Sequence, residues 1–211
     1  GWDFAGEVVA VGSGVSQWKL GDAVYARPDI ARDGSYAEYI AVRASEIAAK
    51  PQKANWQEAA AVPLAALTAW QSLIEGATIQ AGERVLIHAG AGGVGSFAIQ
   101  LAKSRGAHVI TTTSTKNVDL VKSLGADEVI DYTQADFSQL REIDVVFDTL
   151  GGEIQEKSWQ TLKQGGRLIS IISSPSEEAA AKVGGKALFC FVQPSAAQLN
   201  ELAKMIDAGQ L

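Results

Sequence analysis

From residue 83 onward, short apolar runs alternate with stretches whose apolar residues recur every three or four positions. The runs at 85–89, His108–Thr113, Glu128–Asp131, 144–148, 167–173 and 187–192 predict strands. The intervening spacing predicts helices over Gly93–Ser104, 117–124, 154–162 (ended by Gly165-Gly166) and 195–208, the last capped by Ser195. Residues 136–140 read as a helical turn or two, and 174–186 as a loop with a short helix. Such alternation predicts an α/β fold with a doubly wound parallel sheet of about six strands and helices on both faces. The strands read VLI, VVF, LISII and ALFCFV, without polar alternation, as strands buried on both faces should. A ligand is expected at their carboxyl ends.

Ahead of residue 83 the pattern is different. Runs at 2–11, 23–27 and 35–42, separated by turns at Gly12-Ser13-Gly14, Gly21-Asp22 and Asp33-Gly34, predict a small all-β unit. Gly6 is expected at a bulge or a close approach. Asn55 should cap a helix from Trp56, with Glu58 in its first turn. Pro63 interrupts that helix, and the alanine-rich stretch 64–75 predicts another, ended by Gly76. The expected organisation is a β-rich section over 1–50 and a nucleotide-binding section over 51–211.

The chemistry concentrates where the first strand of the alternating region ends. Gly90-Ala91-Gly92-Gly93-Val94-Gly95 matches G-x-G-x-x-G between a strand and a helix, the context that gives that motif meaning. Gly90 is expected to let the chain leave the strand sharply, Gly92 to let a pyrophosphate approach the backbone, and Gly95 to let helix pack on strand. The helix N-terminus offers unpaired N–H groups to phosphate.

The second strand and its exit read HVITTTSTKNV. In NAD-binding folds an acid there takes the ribose 2′-OH. Here Ser114-Thr115-Lys116 stands instead, and hydroxyls with a cation favour a 2′-phosphate. NADP(H) is therefore expected, with Ser114, Lys116 and Tyr132 around that phosphate.

Composition narrows the remaining classes. The 211 residues carry 18 basic and 24 acidic side chains, a net charge of −6, and no basic stripe, which argues against nucleic acid and anionic membrane as partners. One cysteine, Cys190, excludes an internal disulfide and a cysteine-based zinc cluster. No apolar run approaches a membrane span, and a cytoplasmic location is the expectation. Neither a Ser/His/Asp set nor a carboxylate pair presents itself, so no catalytic residue is assigned. His88 and His108 both read as structural.

Five stretches together, GWDFAGEVVAVGSGVSQWKLGDAVYA, AAAVPLAALTAW, VLIHAGAGGVGSFAIQLAK, LGADEVIDY and VVFDTLGG, resemble the medium-chain dehydrogenase/reductase superfamily, in particular its zinc-free quinone oxidoreductase, zeta-crystallin-like branch. The resemblance covers essentially the whole chain. It implies part of a GroES-like β-rich domain followed by a Rossmann domain, and NADPH-dependent, metal-free reduction of a quinone, an enone or a related small-molecule electrophile. Zinc alcohol dehydrogenases of the superfamily carry Gly-His-Glu where this chain has Gly1-Trp2-Asp3, and a four-cysteine lobe where it has only RPDIARD. Around the cofactor the resemblance places Thr68 near the nicotinamide, and Gly92, Gly93, Val94 and Gly95 on the pyrophosphate. Leu150 and Gly151 fall on the adenosine side, Ile171, Ile172 and Ser173 near the nicotinamide ribose, and Phe189, Cys190, Phe191 and Val192 beside the nicotinamide. Sections before Gly1 and after Leu211 are implied, so the chain is expected to be an internal segment. An enoyl-thioester or alkenal reductase, a metal-free alcohol dehydrogenase, and an NADPH-binding protein without turnover stay open. An apolar edge strand at 189–192 is expected to pair with its copy in a homodimer.

Overall fold

The computed structural model describes residues 1–32 and 34–211, and the chain forms two compact units, one of Gly1–Leu67 with Val192–Leu211 and the other of Thr68–Phe191. The turn expected at Asp33-Gly34 falls partly on residue 33, outside the described residues.

The first unit holds a three-stranded antiparallel sheet, β1 (Phe4–Glu7), β2 (Ala23–Ala26) and β3 (Ile47–Ala49), with β2 in the middle. Tyr25 is fully buried and donates its hydroxyl to the Leu199 carbonyl at 2.6 Å. The strand expected at 35–42 does not form. β2 is paired on both edges, the segment adds to the outer edge of neither β1 nor β3, and residues 36–39 stay exposed on both faces. Its start is held by Ser35 instead, whose N–H reaches the Gly1 carbonyl at 2.9 Å and whose Oγ reaches the Asp3 carbonyl at 2.5 Å. Nor is Gly6 a bulge: it sits in unbroken register with Val24, with open space beside it. The cap at Asn55 holds. Glu58 N–H donates to Asn55 Oδ1 at 2.8 Å and Asn55 N–H to Glu58 Oε2 at 2.9 Å, starting helix α1 (Trp56–Ala60). Helix α2 (Pro63–Trp70) begins on its proline, where a missing N–H does no harm, and widens into a π-helical stretch at Gln71–Gly76.

The second unit is the doubly wound sheet. Strands β4 (Arg84–Ile87), β5 (His108–Thr113), β6 (Glu128–Asp131), β7 (Ile143–Asp148), β8 (Leu162–Ser170) and β9 (Lys186–Phe189) are all parallel, in the order β6-β5-β4-β7-β8-β9. Between them run α3 (Gly93–Ser104), α4 (Val118–Ser123), α5 (Gly152–Ser158) and α6 (Glu177–Lys182), whereas α7 (Ala196–Asp207) belongs to the first unit. Leu86 pairs with Ile110 on one side and Val146 on the other, and these side chains are fully buried with Leu168. The order reverses at β4, flanked by β5 and β7, which opens a crevice at the carboxyl ends of those strands. Gly165 and Gly166 do not end a helix. They lie within β8, where its register with β7 shifts between Ile143 and Val145. Gly165 takes a φ of 78°, and a Cβ on Gly166 would come within 3.1 Å of the Ile143 carbonyl, so this bulge needs glycine.

Candidate functional site

The glycine turn between β4 and α3 differs in one respect from its sequence reading. The left-handed residue is Ala89, with a φ of 52°, not Gly90. Gly90 is required for space, because a Cβ there would strike Thr111 Oγ1 and approach Ile99 Cδ1 to 2.9 Å. Gly95 is buried, and a Cβ on it would strike the Ala89 carbonyl, so helix and strand meet backbone to backbone. Gly92 caps α3 with extended backbone and no side-chain bond. Gly92 and Gly93 are exposed and Val94 half-buried. The first amides of α3 have no intrahelical acceptor and stand open to an anion.

Beside this turn a cavity of about 710 Å³ opens at the strand ends, lined by residues that include His88, Thr112, Tyr132, Phe137, Leu150 and Ile154. His88 is its buried wall. Ala89 N–H donates to Thr112 Oγ1 at 3.1 Å, and Thr112 Oγ1 lies 3.2 Å from His88 Nδ1. Ser158 donates to the Ile154 carbonyl at 2.6 Å, so at 2.9 Å it accepts from His88 Nε2. Both ring nitrogens are thereby satisfied, in the neutral Nε2–H form. Burial pushes the His88 pKa down to about 4, against the opposing pull of Asp148.

Asp148 closes β7 and is fully buried. It accepts from the N–H groups of Leu150 at 3.0 Å and Gly151 at 2.8 Å, from Gln155 Nε2 at 2.8 Å and from Ser170 Oγ at 2.7 Å. Burial pushes its pKa up, but these donors, Gly151 foremost, outweigh that and hold it below the ordinary carboxylate range. Ser170 Oγ in turn accepts from Ile172 N–H at 3.2 Å. A Cβ on Gly151, whose φ is 71°, would come within 2.9 Å of Ile172. One buried carboxylate thus fixes the exits of β7 and β8 together. Cys190 N–H donates to the Ser170 carbonyl at 2.9 Å, and burial pushes the Cys190 thiol up, away from thiolate chemistry.

At the other side of the crevice, Ser114 leaves β5 and leads into a 3-10 turn at Thr115–Asn117 that presents Lys116 to solvent. Tyr132, 62% exposed, leaves β6, its N–H bonded to the Thr113 carbonyl at 3.0 Å. Between the two turns lies Asp131, whose carboxylate takes Thr115 Oγ1 at 2.5 Å, Thr133 N–H at 3.0 Å, Thr133 Oγ1 at 2.7 Å and Gln134 Nε2 at 2.9 Å.

The structure therefore gathers Gly92 to Gly95, Ser114, Lys116, Tyr132, Leu150, Gly151, Ile171 to Ser173 and Phe189 to Phe191 at or just beyond one end of one sheet. The edge strand expected at 189–192 lies earlier in the chain: β9 spans Lys186–Phe189, and Cys190, Phe191 and Val192 follow it outside the ladder. Thr68 is buried on α2, and Val192 is buried in the first unit. Sequence reasoning passed over Asp131 and Asp148. Asp148 had a signal: an acid ending an otherwise apolar strand must be paired when buried. Asp131 had a weaker one, an aspartate two residues before a threonine, the spacing of an Asx turn.

Such a strand-turn-helix with open amides, at the switch point of a doubly wound sheet, defines a dinucleotide-binding domain. Residues 1–52 match the alcohol dehydrogenase GroES-like domain family and residues 124–211 the zinc-binding dehydrogenase family. The chain is 33% identical, over its whole length, to the mitochondrial NAD(P)H oxidoreductase RTN4IP1 of Danio rerio, of which it covers 63%. It is 42% identical over 81% of its length to the chloroplastic NADPH-dependent alkenal/one oxidoreductase of Arabidopsis thaliana, of which it covers 46%. A solved quinone oxidoreductase from Coxiella burnetii superposes on the whole chain with a TM-score of 0.89 at 36% identity, and the chain covers 68% of it. The chain belongs to the medium-chain dehydrogenase/reductase superfamily, in its quinone oxidoreductase branch. It thus spans less than two thirds of the length of the Danio and Arabidopsis relatives. Among the described residues no three His, Cys, Asp or Glu side chains come together to hold a metal ion. No helix among the described residues is long and apolar enough to cross a membrane.

Proposed function

We propose that this chain is the cofactor-binding part of an NADPH-dependent oxidoreductase that reduces a quinone, an enone or a related electrophile without a metal. The observation that carries the NADPH reading is the exit of β5. Its polar residues are Ser114, Thr115 and Lys116, and among the described residues Lys116 has no ion-pair partner. A cation there attracts a 2′-phosphate, where a free carboxylate would repel it. The amides of Gly93 to Gly95 would take the pyrophosphate, and Leu150 with Ile154 would cover the adenine side. When bound, the nicotinamide supplies the hydride. The protein's part is alignment and exclusion of water, and alignment alone can be worth about 7–11 kcal/mol.

The test is Lys116→Ala in the intact protein. NADPH affinity is expected to fall about tenfold, the loss of roughly one charge-assisted contact, while NADH affinity holds. Equal loss for both, or none, would refute the 2′-phosphate assignment. Oxidation of NADPH by a panel of quinones, enones and enoyl thioesters then names the acceptor class, and binding without oxidation by any of them would favour a role without turnover. As partner we propose a second copy, joined through β9, which has β8 on one side only and carries Phe189 at 46% exposure. Sedimentation of the intact protein as a monomer would overturn that.

A further inference from the structure

We infer that Asp131 is a positioning residue that fixes the preference for a 2′-phosphate, by holding the turn that carries Lys116 against the turn that carries Tyr132. This rests on the NADPH reading above.

Asp131 ends β6 directly opposite Thr113, the last residue of β5. An acid at the neighbouring β5 exit is what reads a ribose 2′-OH in NAD-binding folds. The β5 exit here has none, yet the pairing of strands brings one to the same place from β6. That carboxylate is not available to a ribose. An ionised carboxylate has about four acceptor sites, and Asp131 receives four donors. Oδ1 takes the Thr133 amide and hydroxyl, while Oδ2 takes the Thr115 hydroxyl and the Gln134 amide. The Asp131 carbonyl is also engaged, accepting from the N–H groups of Gln134 and Ala135 at 2.9 Å each. Thr115 directly precedes Lys116, and Thr133 directly follows Tyr132. One carboxylate therefore ties the two residues proposed to grip the phosphate, and its own charge is masked while it does so. These donors, Thr115 first, hold the Asp131 pKa below the ordinary range, so the knot stays ionised at neutral pH.

The test uses 2′,5′-ADP and 5′-AMP as probes, with affinities measured by calorimetry on the intact protein. The unaltered protein is expected to bind 2′,5′-ADP more tightly. Asp131→Asn keeps the size but has one acceptor oxygen in place of two, so it cannot accept from Thr133 and from Thr115 with Gln134 at once. It should weaken 2′,5′-ADP about tenfold and leave 5′-AMP within about twofold, since one well-placed charged contact is worth about a factor of ten. Thr115→Val with Thr133→Val removes the two hydroxyl donors, one on each carboxylate oxygen, and leaves the Thr133 amide and Gln134, so the tie to the Lys116 turn is lost and the ratio of the two affinities should collapse. If Asp131→Asn tightens 2′,5′-ADP, the carboxylate acts only as a repelling charge, and if the ratio does not change it positions nothing. Either result overturns the inference while the NADPH reading stands. If the unaltered protein shows no preference for 2′,5′-ADP, the NADPH reading falls and takes the inference with it.

Discussion

Asp131 and Asp148 each close a strand of the same parallel sheet, and each receives four hydrogen bonds. Their surroundings differ. Asp148 has no exposure, and two of its donors are backbone amides of the following turn. Asp131 is half-exposed, and three of its four donors come from side chains. The same local device therefore does two jobs. Where water is excluded, each unmade bond leaves a buried group without a partner, so the device carries stability. Where water can replace the partners, little stability rests on it, and its contribution is the shape of a turn.

The largest effect is expected from Asp148→Ala. It takes from the amides of Leu150 and Gly151 and from the Ser170 hydroxyl the fully buried acceptor they share, while Gln155 keeps its bonds to Ser173. Each buried donor left without a partner costs about 1–3 kcal/mol, and several are lost together, which urea unfolding would read directly. Cofactor affinity should fall with it, because the exits of β7 and β8 lose their common anchor. An unfolding midpoint within error of the unaltered protein would erase the contrast between the two aspartates.

How much of this was legible beforehand follows from what each feature depends on. The bounds of α3, β5 and β6 follow from local pattern, since apolar spacing and a glycine turn suffice to set them. The Asn55–Glu58 cap is local too. The strand expected at 35–42 failed because alternation describes a half-buried surface, whereas residues 36–39 are exposed throughout and join neither outer edge of the small sheet. The strand β3, Ile47–Ala49, was missed because three residues carry too little pattern. Gly165 and Gly166 carried the composition of a helix stop, but their use depends on the register of β8 against β7. The site residues on the glycine turn were readable from their order along the chain. Asp131 was not, since its role comes from Thr113 lying opposite it in the sheet.

Acid should sharpen the comparison next, with an intermediate effect. His88 has its folded pKa pushed down to about 4 from an ordinary value near 6.5. The unfolded chain thus takes up its proton first, so His88 supports the fold fully above pH 6.5 and loses that support as pH falls toward 4. At about 1.4 kcal/mol per unit, the loss is on the order of 3 kcal/mol. The Asp148 carboxyl is also held low. Its contribution is present above the unfolded value of about 3.9 and goes only as pH falls below that, through its folded pKa. Urea midpoints at a series of pH values should therefore drop in two windows. His88→Gln should remove the upper one, and its persistence there would assign that window to another group.

The smallest effect on stability is expected at Asp131, and that smallness is itself the sharpest test of the contrast. Its pKa is low as well, so by the same sign its support would be lost only in strong acid. Its partners, however, are replaceable by water, and Asp131→Asn should leave the urea midpoint where it was. The same variant is expected to change the ratio of 2′,5′-ADP to 5′-AMP affinity. A protein that keeps its stability and loses its preference separates the two jobs of a strand-end aspartate. If Asp131→Asn instead destabilises the fold as Asp148→Ala does, the β6 exit is part of the packed structure, and a shift in nucleotide preference would follow from local unfolding and not from the placement of Lys116 and Tyr132.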